Sequence, residues 1–236
     1  MRTALLCLAA LAGPAAAQDV DLELVLLADA SGSITEAEIA FQRDGYAAAL
    51  RDPEVIAAIE GTAYGSIALT YVEWAANTAT VVDWTIIDDA ESAAAFAAAL
   101  PGPPRQAAGR NAIGGALLDA KRLIERNEID GWRKVIDFSG DSPNSFSGPP
   151  IATAREEVIA AGITINALPI LCRFCDTPAR YPDLGAIYEE RIIGGPGAFV
   201  VTAESEADLA DAIKRKLILE ISGTQPEETR IARSTP

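Results

Sequence analysis

Leu22 to Ala28 reads LELVLLA, almost without polar interruption. That pattern predicts a parallel strand buried on both faces rather than one with a wet face. Thr35-x-x-Glu38 is a capping-box signature, and Ile39, Tyr46 and Leu50 follow at helical spacing. Ser66 to Trp74 (SIALTYVEW) and Thr80 to Ile87 (TVVDWTII) are rich in β-formers and close together, which predicts a hairpin. Ala90 to Leu100 predicts an alanine-rich helix, broken by Pro101-Gly102-Pro103-Pro104. Ile113, Leu117, Ala120 and Ile124 form a second helical stripe, and Lys134 to Ser139 a second buried strand. Ile151 to Ala161 predicts a helix closed by Gly162, and Ile163 to Ile170 a strand. Pro182 to Arg191 reads as a short helix, Gly194 to Gly197 as a turn and Ala198 to Thr202 as a short strand. Leu209, Ile213 and Leu217 mark a last helix, and Ser222 to Pro236 lacks periodicity, as a loose tail does.

Strands alternating with helices predict an α/β fold: a doubly wound, mostly parallel, six-stranded sheet with helices on both faces. The hairpin supplies one antiparallel edge strand. No repeat or linker interrupts Asp19 to Ile221, so residues 18–221 are expected to form one domain. In such open sheets ligands bind beyond the carboxyl ends of the strands. The residues after Ala28 and after Phe138 therefore carry the interest.

The N-terminus changes the compartment. Arg2, the apolar run Ala4 to Leu11 and the small residues Ala15-Ala16-Ala17 have the order of a secretory leader over residues 1–17. The run is too short to span a bilayer. Leu6 stands before Cys7 where a lipid-anchored cysteine wants a small residue, so lipidation is set aside. A periplasmic or secreted product is expected, cleaved near Ala17. Cys172 and Cys175 would then pair across a tight loop as a disulfide. A thioredoxin-like redox pair is the alternative, but it wants a helix N-terminus at the first cysteine, and Asp176-Thr177-Pro178 reads as loop.

Composition excludes several chemistries. The 236 residues are 50% hydrophobic, enough to fill a core, and 34 Asp+Glu against 19 Lys+Arg leave a charge of −15. That balance argues against nucleic acid, which wants clustered cations, and against an anionic membrane surface. The chain has no histidine. Every Ser-His-Asp or Cys-His mechanism and every His-ligated metal is excluded.

One cluster remains. Asp29-Ala30-Ser31-Gly32-Ser33 follows the first strand, Ser139-Gly140-Asp141 follows another, and Gly109-Arg110-Asn111-Ala112-Ile113-Gly114-Gly115 opens a helix between them. Alternating oxygens suit a hard cation such as Mg²⁺, Mn²⁺ or Ca²⁺. The plainer reading is a βα turn with serine helix caps. The order DASGS, NAIGGAL, SGD resembles the von Willebrand factor A domain with its metal-ion-dependent adhesion site, over essentially Asp19 to Ile221. The SGDSPNS stretch, the run Ile193 to Phe199 and the exported start are similar to a bacterial branch called domain of unknown function 1194, which carries no assigned activity.

The resemblance implies metal ligands at Asp29, Ser31, Ser33, Asn111 and Asp141, with Mg²⁺ as the first choice. Asn111 stands where that family has threonine, and Gly140-Asp141-Ser142 where it has Thr-Asp-Gly. It further implies a non-enzymatic protein-binding module whose partner presents a carboxylate to the cation. Two other readings stay open. One is an interaction scaffold of the same fold without metal. The other is a hydrolase using Asp29 or Ser31, for which a base would have to come from a lysine such as Lys121 or Lys134. Asp137, inside a buried strand, is expected to find an internal hydrogen bond. Glu73-Trp74 and Trp84 are expected to serve packing, Trp132 to cover helix ends, and Lys214-Arg215-Lys216 to form a solvated helix face.

Overall fold

Strand β1 (Gln18–Asp29) is central, as its unbroken apolar run requires, and its residues from Val20 onward are buried. The computed structural model describes residues 18–171, 181, 183–203 and 206–224. The proposed leader, the cysteine pair Cys172/Cys175 and residues 225–236 lie outside the described residues. After β1 come α1 (Glu36–Leu50), α2 (Pro53–Glu60), β2 (Ile67–Trp74), β3 (Thr78–Ile87), α3 (Ala90–Ala99) and α4 (Ile113–Arg126). Then follow β4 (Ile129–Gly140), α5 (Ile151–Ala160), β5 (Thr164–Pro169), α6 (Leu184–Arg191) and α7 (Glu206–Ser222).

The strands form one sheet in the order β3-β2-β1-β4-β5, parallel except for β3, which pairs antiparallel with β2. Alternation along β1 sorts its side chains between two cores. Leu22, Leu24 and Leu26 pack with Tyr46, Leu50, Val55, Phe96 and Leu217 on one face. Val25 and Leu27 pack with Ile113, Leu117, Val158 and Tyr188 on the other. Thr35 closes its capping box: its hydroxyl accepts from the Glu38 amide at 3.2 Å, and the Glu38 carboxylate accepts from the Thr35 amide at 2.7 Å. Among the described residues no helix is long and apolar enough to cross a membrane.

The structure departs from expectation in four places. The sheet has five strands, not six, among the described residues. Residues 198–203 do run beside β5, touching it at Ala167–Val200 and Ile170–Ala203. The Ala167 amide donates to the Phe199 carbonyl at 3.1 Å and the Val201 amide to the Ala167 carbonyl at 3.1 Å. The next donor on β5 would be Pro169, which has no N–H, so one rung is missing before the Ala203 amide donates to the Pro169 carbonyl and the Leu171 amide to the Ala203 carbonyl, both at 3.3 Å. Second, α2 was not anticipated, although Asp52 caps it and Pro53 opens it. Third, Trp132 lies within β4 rather than before it, 68% exposed and edge-on to Tyr64 at 5.0 Å between centroids. Fourth, Lys216 is fully buried, not solvated, and Ser222 ends α7 rather than starting a tail.

Candidate metal site

β1 and β4 are parallel neighbours with Leu27 opposite Phe138, so both chains leave the sheet at the same end. Gly140 lets them approach: a Cβ there would stand 3.2 Å from Asp29 Oδ2 and 2.8 Å from the Tyr188 hydroxyl. The Asp141 amide faces Asp29 Oδ2 at 3.4 Å. The chain then turns on Asp29, whose Oδ1 accepts from the Ser31 amide at 2.8 Å. The side chains continue as a file of oxygens. Ser31 Oγ is 3.1 Å from Ser33 Oγ, and Ser33 Oγ donates to Asp141 Oδ1 at 3.1 Å.

The third segment is pinned through its backbone. The Gly32 amide donates to the Gly109 carbonyl at 2.7 Å, and Phe146 in the loop after β4 donates to the Asn111 carbonyl at 2.7 Å. Gly109 has φ +104°, and a Cβ there would meet the Ala76 Cβ at 2.8 Å, so glycine is required on both counts. Of the five residues anticipated, hydrogen bonds therefore join Asp29, Ser31, Ser33 and Asp141 directly. Asn111 is brought alongside by main-chain bonds. Its side chain is buried, and among the described residues its Nδ2 has no hydrogen-bond partner.

Aromatic rings form the dry side of the site. Trp74 stacks on Phe138 at 5.0 Å and Phe138 meets Tyr188 at 5.6 Å. The Trp74 indole donates to the Ser139 carbonyl at 3.0 Å and the Tyr188 hydroxyl to the Ser142 carbonyl at 3.0 Å, fixing the end of β4. Burial beneath this wall, and then the charge of Asp141, push the Asp29 carboxyl up to about 7. Among the described residues no three His, Cys, Asp or Glu side chains group so as to hold a metal ion by themselves. The donor set is instead two carboxylates with hydroxyl and amide oxygens, which suits a hard, oxygen-seeking cation. Neighbouring ligands of an octahedral Mg²⁺ stand about 3 Å apart, and the oxygen file keeps that spacing.

The DUF1194 family model, whose description is "Protein of unknown function", matches residues 19–225. The chain belongs to the DUF1194 family. No curated protein matches it. Its fold is von Willebrand factor A-like, as solved structures show. A von Willebrand factor type A protein from Catenulispora acidiphila superposes with TM-score 0.58 at 18% identity, covering 86% of this chain and 43% of that one. Proximal thread matrix protein 1 from the mussel byssus, with a zinc-occupied MIDAS motif, superposes with TM-score 0.56 at 17% identity, over 87% and 49%. The pilus adhesin SpaC from Lactobacillus rhamnosus GG gives TM-score 0.60 at 13% identity, over 86% and 31%. This DUF1194 chain thus spans less than half of each of those solved chains, and identities this low speak to fold alone.

Residues outside the motif hold the loop. Arg105, in the stretch that breaks the helix after Leu100, turns its guanidinium onto four carbonyls: Ala30, Ser31 at 2.7 Å, Ile34 at 3.0 Å and Ala107 at 3.0 Å. Arg43 and Glu73, both buried, pair at 2.5 Å. Arg43 also donates to the Pro103 carbonyl, and Glu73 accepts from the Gln106 amide at 3.0 Å, so the pair anchors the stretch bearing Arg105. Gln42 donates to the Asp29 carbonyl at 3.1 Å. Arg43 and Gln42 had a faint signal, since both adjoin the Ile39–Tyr46 stripe. Arg105 had none, because its partners are carbonyls of another segment.

Arg105→Ala is expected to speed amide exchange at Gly32 and Ile34 by about tenfold or more, the size of a lost charge-assisted hydrogen bond. Arg105→Lys will not restore protection, because an ammonium does not span the fork. Exchange measured by NMR decides; unchanged rates at both amides would remove Arg105 from this role.

Proposed function

We propose that this chain is an exported, non-enzymatic protein-binding module of the adhesion type. A divalent cation, Mg²⁺ by preference and Mn²⁺ or Ca²⁺ otherwise, is held by Asp29, Ser31, Ser33, Asn111 and Asp141. The observation that carries this is the convergence of three segments on one spot. The Ser31–Ser33–Asp141 file runs at 3.1 Å steps, and Gly32 grips Gly109 two residues from Asn111. The bound ion would supply an electrophile for a carboxylate of the partner. The chain's own contribution is to order the oxygens, through Arg105 and Gln42, and to exclude water on one side, through Trp74, Phe138 and Tyr188.

The zinc-occupied motif of the mussel protein and the likeness to the pilus adhesin SpaC support the reading. The lysines a hydrolase would need are engaged elsewhere. Lys121 pairs with Glu125 at 2.9 Å and Glu157 at 3.4 Å, and Lys134 with Glu23 at 3.4 Å. The two serine hydroxyls bond each other and Asp141, a carboxylate this reading gives to the ion, rather than a lysine. Under the same reading residues 1–17 are the leader, residues 18–221 the binding domain, and Cys172–Cys175 a bridge made after export.

Calorimetric titration of Mg²⁺, Mn²⁺ and Ca²⁺ into chelator-treated protein tests this. Binding of one ion is expected, weakened by at least about 100-fold in Asp29→Ala, beyond the loss typical of an outer-shell change. A parent protein that takes up no divalent ion would leave the metal-free scaffold in its place.

A further inference from the structure

An exposed cation stands at the rim of the candidate site. Arg110 lies between Gly109, which grips the DASGS loop, and Asn111, whose carbonyl holds the Phe146 amide at 2.7 Å. Its guanidinium carbon sits 3.9 Å from the centre of the Phe146 ring. Both side chains face solvent: Arg110 is exposed, and Phe146 is 53% exposed, one of three exposed large hydrophobic residues among those described. Among the described residues Arg110 has no carboxylate partner, in a chain that carries −15 overall. It is stacked on a ring instead. Stacking occupies one face of the guanidinium and restrains its long side chain, while the N–H edge stays open to a planar, bidentate acceptor.

We propose that Arg110 and Phe146 form a specificity shelf that takes a second carboxylate of the same partner, beside the one engaged at the cation. The inference rests on the adhesion reading above and narrows it: the preferred partner is a segment with two acidic residues, not an isolated Asp or Glu. Charge complementarity argues for this occupant. The shelf and the cation would together make a positive spot on an otherwise negative surface, and a doubly acidic segment is the ligand that a net acidic protein binds only there. The apolar ring holds the guanidinium in place and shields its bonds from water on one side.

The test uses the full chain saturated with Mg²⁺ and blocked, fluorescent glycine octapeptides. One peptide carries a single Glu; the others carry two, separated by one to four residues. Anisotropy titrations are expected to show about tenfold tighter binding for the best two-Glu peptide, the yield of one added bidentate charge-assisted contact. Arg110→Gln should erase that preference while leaving single-Glu binding and Mg²⁺ uptake unchanged. Phe146→Ala should reduce it by roughly threefold, since an unstacked guanidinium must be ordered on binding. Arg122→Gln, at a half-exposed arginine on α4, carries the same change in charge and should keep the full preference. Equal losses in Arg110→Gln and Arg122→Gln would mean a general charge effect and overturn the shelf. So would a chelator-sensitive single-Glu interaction with no gain from the second Glu, which leaves the cation site intact. Single-Glu binding that is indifferent to chelator would overturn the cation site, and the shelf with it.

Discussion

Lys216→Met is expected to lower the melting temperature by roughly 10 °C, from a loss of about 3–5 kcal/mol in a domain of this size. Lys216 is fully buried, with its Nζ 2.6 Å from Asp137 Oδ1 and bonded to Glu220 Oε1. Asn166 donates to Glu220 at 3.0 Å, and the Tyr46 hydroxyl reaches Asp137 Oδ2 at 3.4 Å. Removing the ammonium leaves the buried Asp137 carboxylate without its cation, beside a Glu220 carboxyl that burial already pushes up to about 8. The loss comes from that imbalance and not from the missing aliphatic stem, which methionine replaces. Adding Asp137→Asn and Glu220→Gln to the Lys216→Met chain should therefore recover most of the stability. A melting temperature that Lys216→Met leaves within about 2 °C of the parent would show the cluster to be energetically idle.

The same cluster sets a pH dependence. Burial, and then the charge of Asp137, push the Glu220 carboxyl up from 4.5 to about 8 despite the pull of Lys216. A carboxyl raised on folding favours the folded state while it is protonated. Its contribution is complete below the unfolded value and is lost as pH rises through about 8. Thermal melts from pH 5 to pH 9 should show the parent falling relative to Glu220→Gln, which has no proton to lose there. Parallel curves would contradict this.

Asp29→Asn is expected to reverse its ranking against the parent when Mg²⁺ is added. Asp29 is 1% exposed, and burial with the neighbouring Asp141 charge raises its carboxyl to about 7. The sign is the same as for Glu220: the stabilising protonated form is complete below the unfolded value and is lost through about 7. At pH 8 without divalent ions the parent thus carries a buried, repelled carboxylate, at a cost on the order of 4 kcal/mol. The amide avoids that cost and can keep the acceptor that holds the Ser31 amide. Without metal the variant should melt higher. With Mg²⁺ at about 10,000 times its dissociation constant the parent gains about 5.5 kcal/mol, roughly 11–22 °C, which exceeds the variant's lead, and the variant gains nothing comparable. Two differential scans of each protein, with Mg²⁺ and with chelator, read the crossing. Equal Mg²⁺ shifts in both would move the ion away from Asp29.

The parts of this protein that could be read in advance share one property. Their information lies in consecutive residues or in a single helical repeat. The run from Leu22 to Ala28 becomes the central strand, Thr35 and Glu38 close their capping box, and the hairpin of β2 and β3 forms the antiparallel edge. Asp29, Ser31 and Ser33 lie within five residues, so their proximity is assured by chain connectivity. A few local signals were present and passed over. Asp52-Pro53 announces α2, and Lys216 with Glu220 shares the stripe of Ile213 and Leu217, which turns that lysine inward although it sits in a run of three cations. Pro169 likewise carried, in its missing N–H, one gap in the pairing between β5 and residues 198–203.

Chain order alone dictated the alternation of strand and helix, the end of the sheet where function would lie, and the chemistry excluded by the absence of histidine. The folded chain settled matters that depend on segments meeting from far apart. It turned Arg105 onto the carbonyls of Ala30 to Ile34, set Arg43 against Glu73, and stacked Arg110 on Phe146. It also sealed Asp137, Lys216 and Glu220 together in the core. Local patterns record which face of an element is apolar. A polar side chain's partner is chosen by packing of whole elements, and no short stretch of sequence holds that information.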